Sequence, residues 1–176
     1  MEKRLVSAQE VINPSIQESS TQKLKVLLVN SSSLIKQKKT FRRHANYPPL
    51  GLCYIAAVLE QEKYRVEILD ARTLDIDEED FRKKIEESMP EVVGLVAYVS
   101  NHGAILKAAE ITKQVNPKSI VIIGGPEASV LKDRFLNESK NFDFSIFGEA
   151  EPTFLELCNA LQDKKSFKDI KGLIYR

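Results

Sequence analysis

Short apolar, β-branched runs separated by amphipathic stretches are the feature that most narrows what this chain can fold into. The runs LKVLLV (Leu24 to Val29), VVGLVAYV (Val92 to Val99) and IVII (Ile120 to Ile123) are nearly continuous in apolar residues. Strands wetted on one face alternate apolar with polar; uninterrupted runs mark strands covered on both faces, as in parallel sheets. Between the runs, Ile105, Ala108, Ala109 and Ile111 recur near the helical period. Phe81 and Ile85 mark another helix, which Asp77 is placed to cap and Pro90 must stop. Phe154, Leu157, Cys158 and Leu161 give a third helical face. Right-handed crossovers then favour a doubly wound α/β domain of five parallel strands in the order 2-1-3-4-5, with helices on both faces. The strands are expected at Leu24 to Asn30, Arg65 to Asp70, Val92 to Val99, Ser119 to Gly124 and Phe144 to Phe147.

A length of 176 residues suits one such domain, and 26 basic against 25 acidic residues leave a formal charge of +1, so the total charge selects no partner. Its distribution is uneven. Between Glu18 and Glu60 there is no acidic residue, while Lys23, Lys25, Lys36, Lys38, Lys39, Arg42 and Arg43 all fall there. Residues 1–22 are polar without a sustained period and are expected to form a mobile extension; the domain proper is expected over 23–165, with 166–176 as a connecting segment. No apolar run approaches the roughly 20 residues that span a bilayer. Cys53 and Cys158 are too few and too far apart for a disulfide scaffold. A reducing, cytoplasmic setting is expected.

One interval is abnormal. Successive strand starts after the second are about 25 to 27 residues apart, but the first interval is about 41. The excess lies in one loop, from Ser31 to Pro49, leaving the carboxyl end of the first strand beside the switch point where doubly wound sheets bind ligands. The same edge receives Tyr98-Val99-Ser100-Asn101-His102-Gly103 from the third strand, Gly124-Gly125-Pro126-Glu127 from the fourth, and Phe147-Gly148-Glu149-Ala150-Glu151 from the fifth. Glycines without Cβ let a ligand lie against backbone, and three such turns beside an overlong loop describe a broad, backbone-lined crevice. Ser31 to Ser33 suit a phosphate-binding turn, but neither G-x-G-x-x-G nor G-x-x-x-x-G-K-[ST] occurs.

Tyr47-Pro48-Pro49-Leu50-Gly51-Leu52, Tyr54 to Leu59, Val66 to Ala71, Val92 to Leu95, Gly124-Gly125-Pro126 and Gly148-Glu149-Ala150-Glu151-Pro152-Thr153-Phe154 occur in that order. Together they resemble the N-terminal cobalamin (vitamin B12)-binding domain of cobalamin-dependent radical S-adenosylmethionine enzymes, over about Lys23 to Arg176. The resemblance implies a Rossmann-like (flavodoxin-like) domain holding cobalamin over the carboxyl ends of its strands, with the nucleotide tail beside Ser100 and the Gly124-Gly125 turn. It implies cofactor contacts from Tyr47, Pro49, Leu50 and Gly51 at the end of the first loop and the start of the helix that follows, and from Tyr98, Val99, Ser100, Asn101 and His102 at the third strand end. Gly124, Gly125, Pro126 and Glu127 at the fourth, and Phe147, Gly148 and Glu149 at the fifth, complete the implied set.

Two departures qualify what the family pattern implies. Asn30 to Ile35 lacks the Asp-x-His-x-x-Gly motif whose His ligates cobalt in mutase-type domains, so base-off cobalamin without a His from that loop is expected. Ala150 stands where the family often has Gly, and would be strained if the turn needed φ > 0 there. His102 is expected to cap its helix or make a polar contact, ahead of an approach to the lower cobalt face, and His44 is expected to be solvated. The family's radical chemistry uses a [4Fe–4S] cluster on three close cysteines, and this sequence has two distant ones, so S-adenosylmethionine and the cluster are expected only through a catalytic barrel joined in cis or trans. No catalytic or metal-ligating residue is assigned to the chain. A cofactor-free interaction module and, more weakly, a flavodoxin-like nucleotide binder stay open beside this reading.

Overall fold

The computed structural model describes residues 22–31 and 47–176. The expected N-terminal extension, apart from Gln22, and the basic stretch from Lys36 to His44 lie outside the described residues.

The order of elements is β1 (Lys25–Asn30), α1 (Leu50–Gln61), β2 (Arg65–Asp70), α2 (Glu78–Ser88), β3 (Val92–Val96), a 3-10 turn (Val99–Asn101) and α3 (His102–Val115). There follow β4 (Ile120–Gly124), α4 (Pro126–Leu131), α5 (Arg134–Glu138), β5 (Phe144–Ile146), α6 (Ala150–Asp163) and β6 (Leu173–Tyr175). The sheet order is β2-β1-β3-β4-β5-β6. The first five strands are parallel in the expected order. A sixth, β6, pairs antiparallel with β5 through Phe144–Tyr175, Ser145–Ile174 and Ile146–Leu173, so the five-stranded expectation is corrected. The reason is local anchoring. Gly172, at φ 78, brings its carbonyl to the Phe147 N–H, the Thr153 hydroxyl donates to Lys171 O at 2.8 Å, and the Arg176 guanidinium donates to Phe142 O at 2.5 Å. Tyr175 completes a ring cluster with Phe144 and Phe167. Three residues with such end contacts make a strand that periodicity alone does not reveal.

Burial explains the uninterrupted runs. Leu27, Val29, Val93, Leu95, Val121 and Ile123 face α2, α3 and the short α4 and α5, while Val26, Leu28, Val92, Ile122, Phe144 and Ile146 face α1 and α6. β1, β3 and β4 therefore feed two cores through alternate residues, whereas β5 gives Phe144 and Ile146 to the α1/α6 side alone. Asp77 caps α2 as expected, its carboxylate accepting from the Glu79 and Asp80 N–H groups, and the helix ends at Met89 in a left-handed conformation just before Pro90. β3 stops at Val96, short of the expected Val99. The Ala97 N–H still donates to Gly124 O at 2.7 Å, after which Asn101 draws the chain into a turn: its carboxamide oxygen accepts from Tyr98 N–H and its amide donates to Val96 O.

Gly94 sits at the middle of β3 between both cores. A Cβ there would lie 2.8 Å from Leu28 Cδ2 and 2.9 Å from Phe154 Cε2, and both side chains are buried. Overpacking of this kind costs about 1–3 kcal/mol, offset by about 0.4–1 kcal/mol from the reduced freedom of the unfolded chain. We predict that Gly94→Ala lowers stability by about 1–2 kcal/mol in urea unfolding; an unchanged midpoint would show that Phe154 repacks freely.

Candidate functional site

The carboxyl ends of β1, β3, β4 and β5 open into a cavity of about 430 Å³. Its floor is apolar, formed by Leu28, Ile122 and Ile146 from the sheet, Leu52 and Ile55 from α1, and Phe154 from α6. Its mouth is lined by Pro49, Gly51, Tyr98, Gly124, Gly125, Pro126, Ser129, Gly148, Glu149 and Glu151. The site thus combines a dry base with a rim of backbone, hydroxyl and carboxylate groups, the composition of small-molecule pockets.

Glycines shape the mouth in two ways. Gly125 has φ 98, and a Cβ there would lie 3.0 Å from Ala97 O, so this turn closes onto the end of β3 only without a side chain. Gly51 and Gly148 have open space where a Cβ would stand, and at Gly124 the nearest atom would be Ile146 Cβ at 3.9 Å. The positive φ of the last turn falls on Gly148 (φ 81), and Ala150 begins α6 outside the left-handed region. The strain that Ala150 would bear at φ > 0 therefore does not arise.

Of the residues singled out from the sequence, Pro49, Gly51, Tyr98, Gly124, Gly125, Pro126, Gly148 and Glu149 reach the cavity wall. Tyr47, Leu50 and Val99 are exposed apolar side chains at 80%, 63% and 84%, and are not wall residues. Phe147 is 38% exposed beneath the Lys132 ammonium. Ser100 is exposed on the 3-10 turn, and buried Asn101 is spent on the turn's own backbone. The floor residues Leu28, Ile55, Ile122, Ile146 and Phe154, and Ser129 at the rim, escaped sequence reading. They look like ordinary core positions, and only the packing of α1 and α6 over the sheet leaves space above them.

His102 and Glu127 face away from the cavity into a separate cluster. His102 opens α3, stacks on Phe135, and sets Nδ1 3.0 Å from Glu127 Oε1 and Nε2 3.0 Å from Glu138 Oε1. With a carboxylate at each ring nitrogen, both nitrogens act as donors in the imidazolium form. The Glu138 hydrogen bond, opposed by burial and helped by Glu127, raises the His102 pKa above the ordinary 6.5. The expected polar contact is therefore present, as a bridge from α3 to α4 and α5. Cys158 is fully buried in the core, its thiol pushed up to about 12 by desolvation, and Cys53 is half-buried on α1. Among the described residues, no group of three or more His, Cys, Asp or Glu side chains is placed to hold a metal ion, and no helix is long and apolar enough to cross a membrane.

Residues 41–158 match the family model of the B12 binding domain. The chain belongs to this family. It is similar to an uncharacterised methyltransferase of Pyrococcus horikoshii, 34% identical over 129 residues, which cover 73% of this chain and 28% of that protein. The cytidylyl-2-hydroxyethylphosphonate methyltransferase of Streptomyces wedmorensis is 34% identical over 173 residues, covering 86% and 31%. The anaerobic magnesium-protoporphyrin IX monomethyl ester cyclase of Rubrivivax gelatinosus is 29% identical over 134 residues, covering 74% and 24%. The chain thus spans about a quarter to a third of the length of these relatives. The fold matches that of the cobalamin-dependent S-adenosylmethionine radical enzyme OxsB with aqua-cobalamin and S-adenosylmethionine bound, at TM-score 0.72 and 17% identity over 87% of this chain and 21% of that one. It also matches the radical S-adenosylmethionine methyltransferase TsrM of Kitasatospora setae, at TM-score 0.69 and 22% identity over 85% and 28%.

The His102 bridge has a defined pH signature. Because its folded pKa is raised, its stabilisation is fully present below the unfolded value near 6.5 and is lost as pH rises through the folded value. We predict a His102 ring titration above pH 6.5 by NMR, and a loss of stability across that window that His102→Gln removes. A midpoint at or below 6.5 would mean that the two carboxylates do not hold the ring in solution.

Proposed function

We propose that this B12-binding domain holds cobalamin in its base-off form, with the nucleotide tail in the cavity and the corrin over the carboxyl ends of the strands. The reading rests on one pairing of observations: the family match, and a deep slot whose mouth has three glycines with room where a side chain would stand. A tail displaced from cobalt needs such a slot, and Ile55, Ile122 and Phe154 supply an apolar base for its aromatic ring. Pro49, Gly51 and Tyr98 would border the corrin, and Gly124, Gly125 and Gly148 the tail. When bound, cobalamin supplies a methyl group carried on cobalt. The domain's own part would be to bind the tail and orient the ring. His102 has both ring nitrogens engaged by Glu127 and Glu138 and is not among the residues that line the slot.

The partner in this reading is a radical S-adenosylmethionine catalytic unit, in cis or trans, that carries the [4Fe–4S] cluster and binds S-adenosylmethionine. The methyltransferases among the relatives support methyl transfer as the reaction served.

The test is retention. Incubated with hydroxocobalamin and desalted, the protein is expected to keep corrin absorbance with a base-off spectrum, and to release flavin mononucleotide in a parallel sample. Loss of cobalamin at high micromolar concentration would overturn the reading, and flavin retention would favour a nucleotide binder. Gly124→Val probes the slot without backbone strain, because Gly124 has no positive φ and a Cβ there would meet only Ile146, at an ordinary contact distance of 3.9 Å. We predict at least about tenfold weaker retention, equivalent to about 1.4 kcal/mol, with the unfolding midpoint unchanged. Binding equal to wild type would place the tail elsewhere.

A further inference from the structure

Two of the glycine turns at the cavity mouth are joined by one hydroxyl. Ser129, half-buried on α4, donates from Oγ to Gly125 O at 3.0 Å and accepts from Gly148 N–H at 3.1 Å. The first bond alone is an ordinary habit of helical serine, which returns its hydroxyl to the carbonyl four residues back. The second spans 19 residues and links the β4–α4 turn to the β5–α6 turn.

The link matters because of what Gly148 lacks. Beyond its chain neighbours, no atom lies within 4 Å of where its Cβ would stand, so nothing packs on Gly148 from that side, and φ 81 is a conformation that glycine reaches without fixing. Phe147 is held on the other side by its N–H bond to Gly172 O. Gly125 is located by its close approach to Ala97, so the Ser129 hydroxyl ties an unpacked turn to a packed one. Both glycines and Ser129 line the cavity, so the two turns that the hydroxyl joins stand side by side in its wall.

We propose that Ser129 is a positioning residue for the bound cofactor: a clip that holds the Gly148 turn at the spacing from Gly125 that admits the cobalamin tail. This inference rests on the cobalamin reading above and deepens it by assigning the mouth's geometry to one side chain. Without the clip, the Gly148 turn samples wider positions, and binding must order it again.

Three measurements on the full chain decide the matter: hydroxocobalamin Kd, solvent exchange of the Gly148 amide by NMR, and the unfolding midpoint, each on wild type, Ser129→Ala and Ser129→Thr. Ser129→Ala is expected to weaken binding about five- to tenfold, the scale of one net hydrogen bond, to speed exchange at Gly148, and to leave the unfolding midpoint in place. Ser129→Thr keeps the hydroxyl and should restore both binding and exchange. Unchanged affinity in Ser129→Ala, beside a wild type that binds, overturns the inference and spares the cobalamin reading. Weakened affinity with a lowered midpoint and unaltered Gly148 exchange overturns it as well, since that pattern is general destabilisation. Failure of Thr to rescue tells against the hydroxyl. If wild type retains no cobalamin, the cobalamin reading falls, and the inference falls with it.

Discussion

The parallel pairing of β1 with both β2 and β3 is the constraint on which the rest of the molecule depends. A strand hydrogen-bonded on both edges and apolar on both faces requires cover above and below, so α1 and α6 occupy one side and α2 and α3 the other. It also brings chain reversals from opposite faces to the same edge between β1 and β3. The cavity follows from this arrangement: its floor is the α1/α6 face of the sheet, and its mouth is built from the turns that leave the carboxyl ends.

Glycine at that mouth does two different jobs. Gly125 permits a close backbone approach to Ala97, while Gly51, Gly124 and Gly148 leave space in the wall. The distinction bears on function, because a substitution at Gly125 strains the fold whereas one at Gly124 fills only the slot. Gly94 is a third case, a core glycine whose missing Cβ makes room for Leu28 and Phe154 and so shapes the floor indirectly. The polar chemistry is segregated from the slot. His102, Glu127 and Glu138 form a bridge among α3, α4 and α5, so the ionisable histidine acts on helix packing rather than in the cavity wall.

Much of this was legible before the structure. Strand identity, the order of the five parallel strands, the Asp77 cap and the edge at which the glycine turns gather all follow from periodicity and turn chemistry. The shortened β3 and the added β6 were not. Tyr98 and Val99 read as strand by composition, but the Asn101 side chain bends the chain there with hydrogen bonds to Val96 and Tyr98. Leu173 to Tyr175 is too short to show a period, and its strand depends on Gly172, Thr153 and Arg176 meeting distant partners.

Local sequence by itself determined the doubly wound α/β class and the family, because apolar runs, helical periods and glycine turns are local properties that survive without knowledge of contacts. Which strand-end residues share a cavity was decided by the tertiary structure. Gly124 and His102 both read as strand-end residues in the sequence, yet Gly124 ends β4 and lines the slot, while His102 follows the Val99–Asn101 turn, opens α3 and turns toward Glu138. Ser129 carries no signal in the sequence. Its importance comes from a glycine 19 residues away that folding brings within 3.1 Å of its hydroxyl.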